Sequence, residues 1–271
     1  MAGFFGLFDF TKPGPGVPKD VPPKHPFFVF FEVFTRKFWK LVRLNLQYFL
    51  INLPVLFAIF FVTGMVATDI STVNTSQQIM SSGHFLNLVI ALGLFCFSFF
   101  SFGPAAAGFH MVLRNYAREE HAWIWEDFYE HAKKNFKQSL LINLIDVIAI
   151  IVFYVCFKFY GEIGKTNAIA MYIRYMFIGF FGIYLMMHMY IYTMLVTFHL
   201  TVKQVFKNAF IFTILKLPRN VIITVICIVI VFLSFSYNIL IGIVMFPLIT
   251  LSLIGLIINF NVYPVLKRYM I

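Results

Sequence analysis

The sequence predicts an all-α membrane protein: six transmembrane helices, paired as three hairpins, with amphipathic helices on the cytoplasmic side. Two observations carry that expectation. First, 61% of the residues are hydrophobic and only 12% charged, and the apolar residues gather into six long stretches, a balance that water-soluble domains do not show. Second, 18 of the 21 Lys and Arg residues fall into four segments that alternate with weakly charged ones. These are 1–43, 114–137, 203–219 and the tail with Lys267 and Arg268, while Lys158, Lys165 and Arg174 lie on the other side. Short loops rich in Lys and Arg stay cytoplasmic, so a multi-pass protein with both termini inside is expected.

The chain divides into a Pro-rich cytoplasmic tail, 1–26, and a six-span helical domain, 27–271. Pro13, Pro15, Pro18, Pro22, Pro23 and Pro26 remove backbone donors and push the residues before them into extended conformations, which argues against a helix there. Asp9 and Asp20 among the basic residues do not suit a cleavable leader. Phe4, Phe5, Leu7, Phe8 and Phe10 suit either the membrane surface or a groove in a partner.

The spans are expected at 46–66, 85–112, 139–157, 170–198, 219–236 and 239–262. A hydrocarbon core takes roughly 20 helical residues. The third and fifth spans barely reach that length, and the second and fourth exceed it and should tilt or bend. Pro54, Pro104 and Pro247 lie inside spans and should kink them. The run Gly103-Pro104-Ala105-Ala106-Ala107-Gly108 supplies small side chains for close helix packing, or for a hinge. A weak repeat links Arg36-Lys37-Phe38-Trp39-Lys40 with Lys133-Lys134-Asn135-Phe136-Lys137 and, more faintly, with Lys203-Gln204-Val205-Phe206-Lys207. Each is a short basic and aromatic helix start that feeds an odd-numbered span. Shared ancestry and convergence on interfacial anchors both account for it.

The longest cytoplasmic connection, 113–138, holds the most specific text. From Trp125 onward Phe128, Tyr129, Ala132 and Phe136 recur at helical spacing, with charged residues on the other faces. Glu126 and Asp127 lead and Lys133, Lys134 and Lys137 follow, which suits the helix dipole. This amphipathic helix either caps its own bundle at headgroup level or docks another protein. In the docking reading the contact residues are Trp123, Trp125, Phe128, Tyr129, Arg114 and Arg118. His121 and His131 with Glu120 or Asp127 match no closed ligand set, so no metal is expected.

Inside the spans, Asp146 and His188 stand out. A charge at mid-membrane costs roughly 2.5–3.5 kcal/mol on insertion scales, so such an acid faces the bundle and finds a partner. Asn143, His188 and a tyrosine are the partners in reach. Tyr184, His188 and Tyr192 share one helical face, near Met186, Met187 and Met189. Structural hydrogen bonding, a proton or substrate role and exposure to a cavity are the three readings of Asp146. For the methionines, packing and soft-metal transport are the two.

Several activities are disfavoured. The +10 net charge is spread over span ends, which suits anionic lipid headgroups rather than nucleic acid. The run Gly161-Glu162-Ile163-Gly164-Lys165-Thr166 imitates a phosphate loop, but Phe159 stands where its first glycine belongs. Cys96, Cys156 and Cys227 lie in apolar stretches and read as buried thiols. No catalytic residue and no cofactor are expected, and the protein is not expected to be an enzyme.

The Phe5 to Val17 stretch, Phe38-Trp39-Lys40-Leu41, the run from Gly103 to Phe109, the Arg118 to Phe128 stretch and Lys134-Asn135-Phe136-Lys137 resemble the YesL-like family of bacterial integral membrane proteins. The resemblance covers most of the first half of the chain. It implies a bacterial plasma membrane and association with carbohydrate ABC importers, that is, with their permease and ATPase subunits. No Glu-Ala-Ala…Gly loop of a permease occurs in 113–138 or 199–218. An accessory, non-catalytic subunit for oligosaccharide import is therefore the first expectation. An independent small-solute or proton-coupled transporter and a membrane scaffold are the alternatives.

Overall fold

The computed structural model describes residues 25–71 and 103–270, and every regular element in them is helical. The prolines of the tail up to Pro23, the aromatics ahead of them, Cys96 and residues 85–102 of the second expected span lie outside the described residues.

Helix α1, Pro26–Ser71, runs unbroken for 46 residues. It fuses the basic-aromatic run and the first expected span into one helix, where the sequence suggested a short turn before position 46. No Gly or Pro occurs between Pro26 and Pro54 to interrupt it, and Pro26 sits in the first turn, where its missing N–H costs nothing. One stripe is buried, including Val33, Leu41, Leu44 and Asn45, while Phe27, Phe28, Phe31, Trp39 and Leu50 face outward.

Helix α2, Gly103–Ala117, is the pivot of the bundle, buried from Gly103 to Tyr116 except at His110. Its small residues permit this. A Cβ on Gly108 would strike the Phe128 carbonyl oxygen, and one on Gly103 the Ser139 carbonyl oxygen. Close packing is thus the role the small-residue run plays. Glu119, in the left-handed region at φ 59°, turns the chain towards α3, Ile124–Lys134.

Helix α4, Phe136–Ile163, follows after a kink at Asn135 and has 28 residues. The third span is therefore longer than the sequence suggests, because the helix continues through Lys158 to Ile163. Helix α5, Ala168–Thr197, starts on an Asn167 cap, Oδ1 accepting from Ile169 N at 2.9 Å. Helix α6, Val202–Leu215, begins with a capping box of Thr201 and Gln204 and is a full helix rather than a turn. Helix α7, Leu217–Ser236, precedes α8, Ile239–Met245, a π-helical turn Phe246–Thr250 and α9, Leu251–Met270.

Pro247 distorts its span through that π turn. Side chains take up backbone carbonyls there: Asn45 Nδ2 donates to Phe246 O at 3.0 Å and Thr250 Oγ1 to Met245 O at 3.2 Å. Among the described residues four helical segments are long and apolar enough to cross a membrane: α4, α5, α7 and Phe246–Met270. Their outer faces fit lipid. On α7 only Asn220 is buried, while Ile222, Val225, Ile228, Phe232 and Leu233 are exposed. The core gathers at the opposite end of the bundle, where the basic segments lie and α2 meets α1, α3, α4, α5 and α9.

Candidate functional site

Two features stand out, one on the surface and one inside. On α3 the first turn carries Glu126 and Asp127 and the last His131, Lys133 and Lys134. Asp127 Oδ2 accepts from the Trp123 N–H at 2.8 Å, which fixes the start of the helix. Phe128 is buried to 1% against the α2 backbone, whereas Trp123, Trp125 and Tyr129 remain 64%, 61% and 50% exposed. Trp125 and Tyr129 stack with ring centroids 6.0 Å apart. The aromatic text of this helix therefore splits in two: Phe128 anchors it and the other three face outward.

Arg114 also proves to be an anchor. It is 8% exposed. Its Nη2 donates to Asn115 Oδ1 at 2.9 Å and its Nη1 to Val196 O at 3.0 Å and Thr197 Oγ1 at 3.3 Å. It thereby caps a last-turn carbonyl of α5, one that has no partner within the helix. Burial, followed by the nearby Arg118 charge, pulls its pKa below the ordinary guanidinium value. So neither Phe128 nor Arg114 belongs to an accessible contact surface. Arg118 is half-exposed, 2.7 Å from Glu120 and over the Tyr263 ring at 5.2 Å.

Inside, Asp146 on α4 is 1% exposed. The Tyr184 hydroxyl on α5 donates to its Oδ1 at 2.6 Å, and His188 Nε2 lies 3.0 Å from the same oxygen. Of the possible partners, the structure brings together Tyr184 and His188 and leaves Asn143 apart. Among the described residues, Asp146 Oδ2 and both side-chain polar atoms of buried Asn143 have no hydrogen-bond partner. Tyr192 completes the face, 6.5 Å from His188 and stacked on His110 at 5.6 Å. His110 Nδ1 lies 3.4 Å from Asn259 Nδ2, and Asn259 Oδ1 accepts from Thr193 at 3.1 Å. A polar track thus runs from α4 across α5 and α2 to α9. Sequence reasoning missed His110 and Asn259, although a His and an Asn inside apolar stretches were the available signal. Met187 and Met189 pack in the core.

A second buried cluster hangs on the same helix. The Tyr190 hydroxyl donates to Asn220 Oδ1 at 2.8 Å, and Asn220 Nδ2 donates to Thr213 O at 3.2 Å. Asn261 Nδ2 reaches Asn220 Oδ1 at 3.4 Å, and Arg219 Nε donates to Asn261 Oδ1.

Among known proteins, no curated protein and no solved structure matches the chain. Residues 44–157 match the model of a family described as a protein of unknown function, DUF624. The matched stretch runs from within α1 to within α4 and so holds Gly108, the α3 aromatics and Asp146, but not Tyr184 or His188. The first half of this chain is thus similar to that family.

Proposed function

We propose that the protein is a non-catalytic accessory subunit of a carbohydrate ABC importer, for an oligosaccharide, in a bacterial plasma membrane. It docks on the permease or ATPase subunit through the cytoplasmic α3 surface. The observation that carries this reading is the split of α3. Trp123, Trp125 and Tyr129 project outward from a helix that Phe128 and the α2 backbone hold rigidly. Rigid, exposed aromatics lose little entropy on association and are the residue types that dominate interfaces. The importer context rests on the resemblance to YesL-like proteins, and the family similarity over 44–157 covers this surface.

Co-purification of tagged protein before and after Trp123→Ala/Trp125→Ala tests it. Loss of a stoichiometric permease or ATPase subunit is expected, with the thermal stability of the purified chain unchanged to within about 0.5 kcal/mol. Unchanged recovery removes α3 from the docking surface. A loss of stability without partner loss makes the tryptophans lipid anchors. The orientation has its own test: Lys165 is labelled from outside intact cells, and Lys134, Lys207 and Lys267 only after the membrane is opened.

The Asp146 cluster favours a second reading, a small-solute or proton-coupled transporter. A buried carboxyl between a tyrosine and a histidine is the arrangement a proton relay needs. Uptake by the isolated protein in liposomes, lost in Asp146→Asn, would establish it. A chain that neither transports nor binds a subunit acts as a membrane scaffold.

A further inference from the structure

A cleft of about 300 Å³ opens where α3 passes into α4 and α5 into α6, lined in part by His131, Lys134, Asn135, Gln138, His199 and Thr201. Three carbonyls around it are already taken. Asn135 Nδ2 donates to His131 O at 3.0 Å, Gln138 Nε2 to Leu200 O at 3.1 Å and Arg114 Nη1 to Val196 O at 3.0 Å. The carbonyls that would repel an anion at the ends of α3 and α5 are thereby neutralised. The cationic group left over is the Lys134 ammonium, with the exposed His199 ring beside it. Among the described residues no carboxylate lines the cleft and the Lys134 ammonium has no ion-pair partner within 4 Å. His131 Nδ1 faces the Asp127 carbonyl at 3.0 Å, so that nitrogen carries the proton and Nε2 is the ring's other polar edge. The first turn of α6 lies beside it; its Gln204 N–H is taken by Thr201 Oγ1, which leaves the N–H groups of Val202 and Lys203 outside the capping box. Lys133, Lys137 and Lys203 flank the same segments, with no Asp or Glu in 131–138 or 195–207.

We infer that this cleft binds a phosphate group. It sits where the spanning helices α4 and α5 end, the depth of phospholipid headgroups. A lipid headgroup and a soluble phosphate present the same chemistry to it.

The test uses the purified full chain in detergent. Native mass spectrometry measures retained phosphatidylglycerol against monogalactosyldiacylglycerol, a lipid without phosphate, and inorganic phosphate is titrated separately by thermal shift. Wild type is expected to retain phosphatidylglycerol selectively. Lys134→Gln/His199→Ala should weaken that binding about tenfold, the scale of losing a charge-assisted contact. Lys207→Gln, an exposed lysine outside the cleft, should not. Saturable stabilisation by inorganic phosphate that the double variant abolishes, without lipid selectivity, supports the phosphate site and makes its ligand a soluble one. Equal retention by the double variant and wild type, or no lipid selectivity together with no phosphate effect, overturns it. Among the described residues neither replaced side chain carries a hydrogen bond, and the wild-type selectivity is readable even if the variant fails to fold.

Discussion

Two buried polar clusters hang on α5 and differ in one respect. Around Asn220, amides, a tyrosine hydroxyl, an arginine and two backbone carbonyls satisfy one another. Around Asp146, two groups converge on a single carboxylate oxygen, while the other oxygen and the neighbouring Asn143 have no partner among the described residues. A closed network fixes a packing arrangement, whereas a half-satisfied one built on an acid carries an energetic cost. The Asn220 cluster is therefore a staple between α5, α7 and α9, and the Asp146 cluster is the one in which a proton or substrate role is to be tested.

The sharpest way to break this contrast is Asn220→Leu. The change removes at one stroke the acceptor of Tyr190 and Asn261 and the donor to Thr213. Leaving such groups unpaired costs about 1–3 kcal/mol, measurable as a lower midpoint in thermal or denaturant unfolding of the purified protein. A stability equal to wild type would show that the network is incidental.

Asp146 should respond to the type of substitution rather than to the mere loss of the acid. Asp146→Leu strands the Tyr184 hydroxyl and is expected to lower folded yield, by roughly 1–2 kcal/mol where stability can be measured. Asp146→Asn keeps an acceptor for Tyr184 and removes the buried charge, so folded yield should hold. An Asn variant that folds normally yet loses solute uptake or sugar-dependent growth would move the balance from the accessory reading to the transporter. An Asn variant as damaged as Leu would mean that the charge itself holds α4 against α5.

How much of this was legible in the sequence depends on the residue. Asp146, Tyr184, His188 and Tyr192 were found together because one acid in an apolar stretch must be partnered and because 184, 188 and 192 share a helical face. The pairing itself needed coordinates, since Asn143 was an equal claimant on spacing. The α3 helix was visible from its period, but Phe128 and Tyr129 look alike in sequence, and only the Gly108 contact decides which one is buried. Arg114 misled because a basic residue at a span end suggests a surface. Its guanidinium instead reaches the end of α5, 82 residues away in sequence. The faint repeat has a physical counterpart. The first two copies each lead to a buried asparagine, Asn45 and Asn143, and Asn220, beyond the third copy, is a further buried asparagine near the start of the fifth expected span. Asn45 and Asn220 each donate to a backbone carbonyl, while Asn143 does not, in line with its place beside Asp146.

The smallest expected effect makes the comparison quantitative, because Tyr190 and Tyr184 offer the same substitution in each cluster. Tyr190→Phe deletes a hydroxyl whose partner, Asn220 Oδ1, keeps Asn261 as a weaker donor at 3.4 Å. Interhelical hydrogen bonds inside membranes contribute about 0.6 kcal/mol on average, so a loss of that order is expected in unfolding experiments. Tyr184→Phe also deletes one hydroxyl, but it leaves the buried carboxylate with His188 as its remaining neighbour. It should cost about as much when Asp146 is present and close to nothing in the Asp146→Asn background if the charge is what Tyr184 supports. The double-mutant cycle thus asks whether Tyr184 serves the fold or the acid. A penalty for Tyr184→Phe that is the same in both backgrounds would make the two clusters equivalent staples and remove the reason to look for chemistry at Asp146.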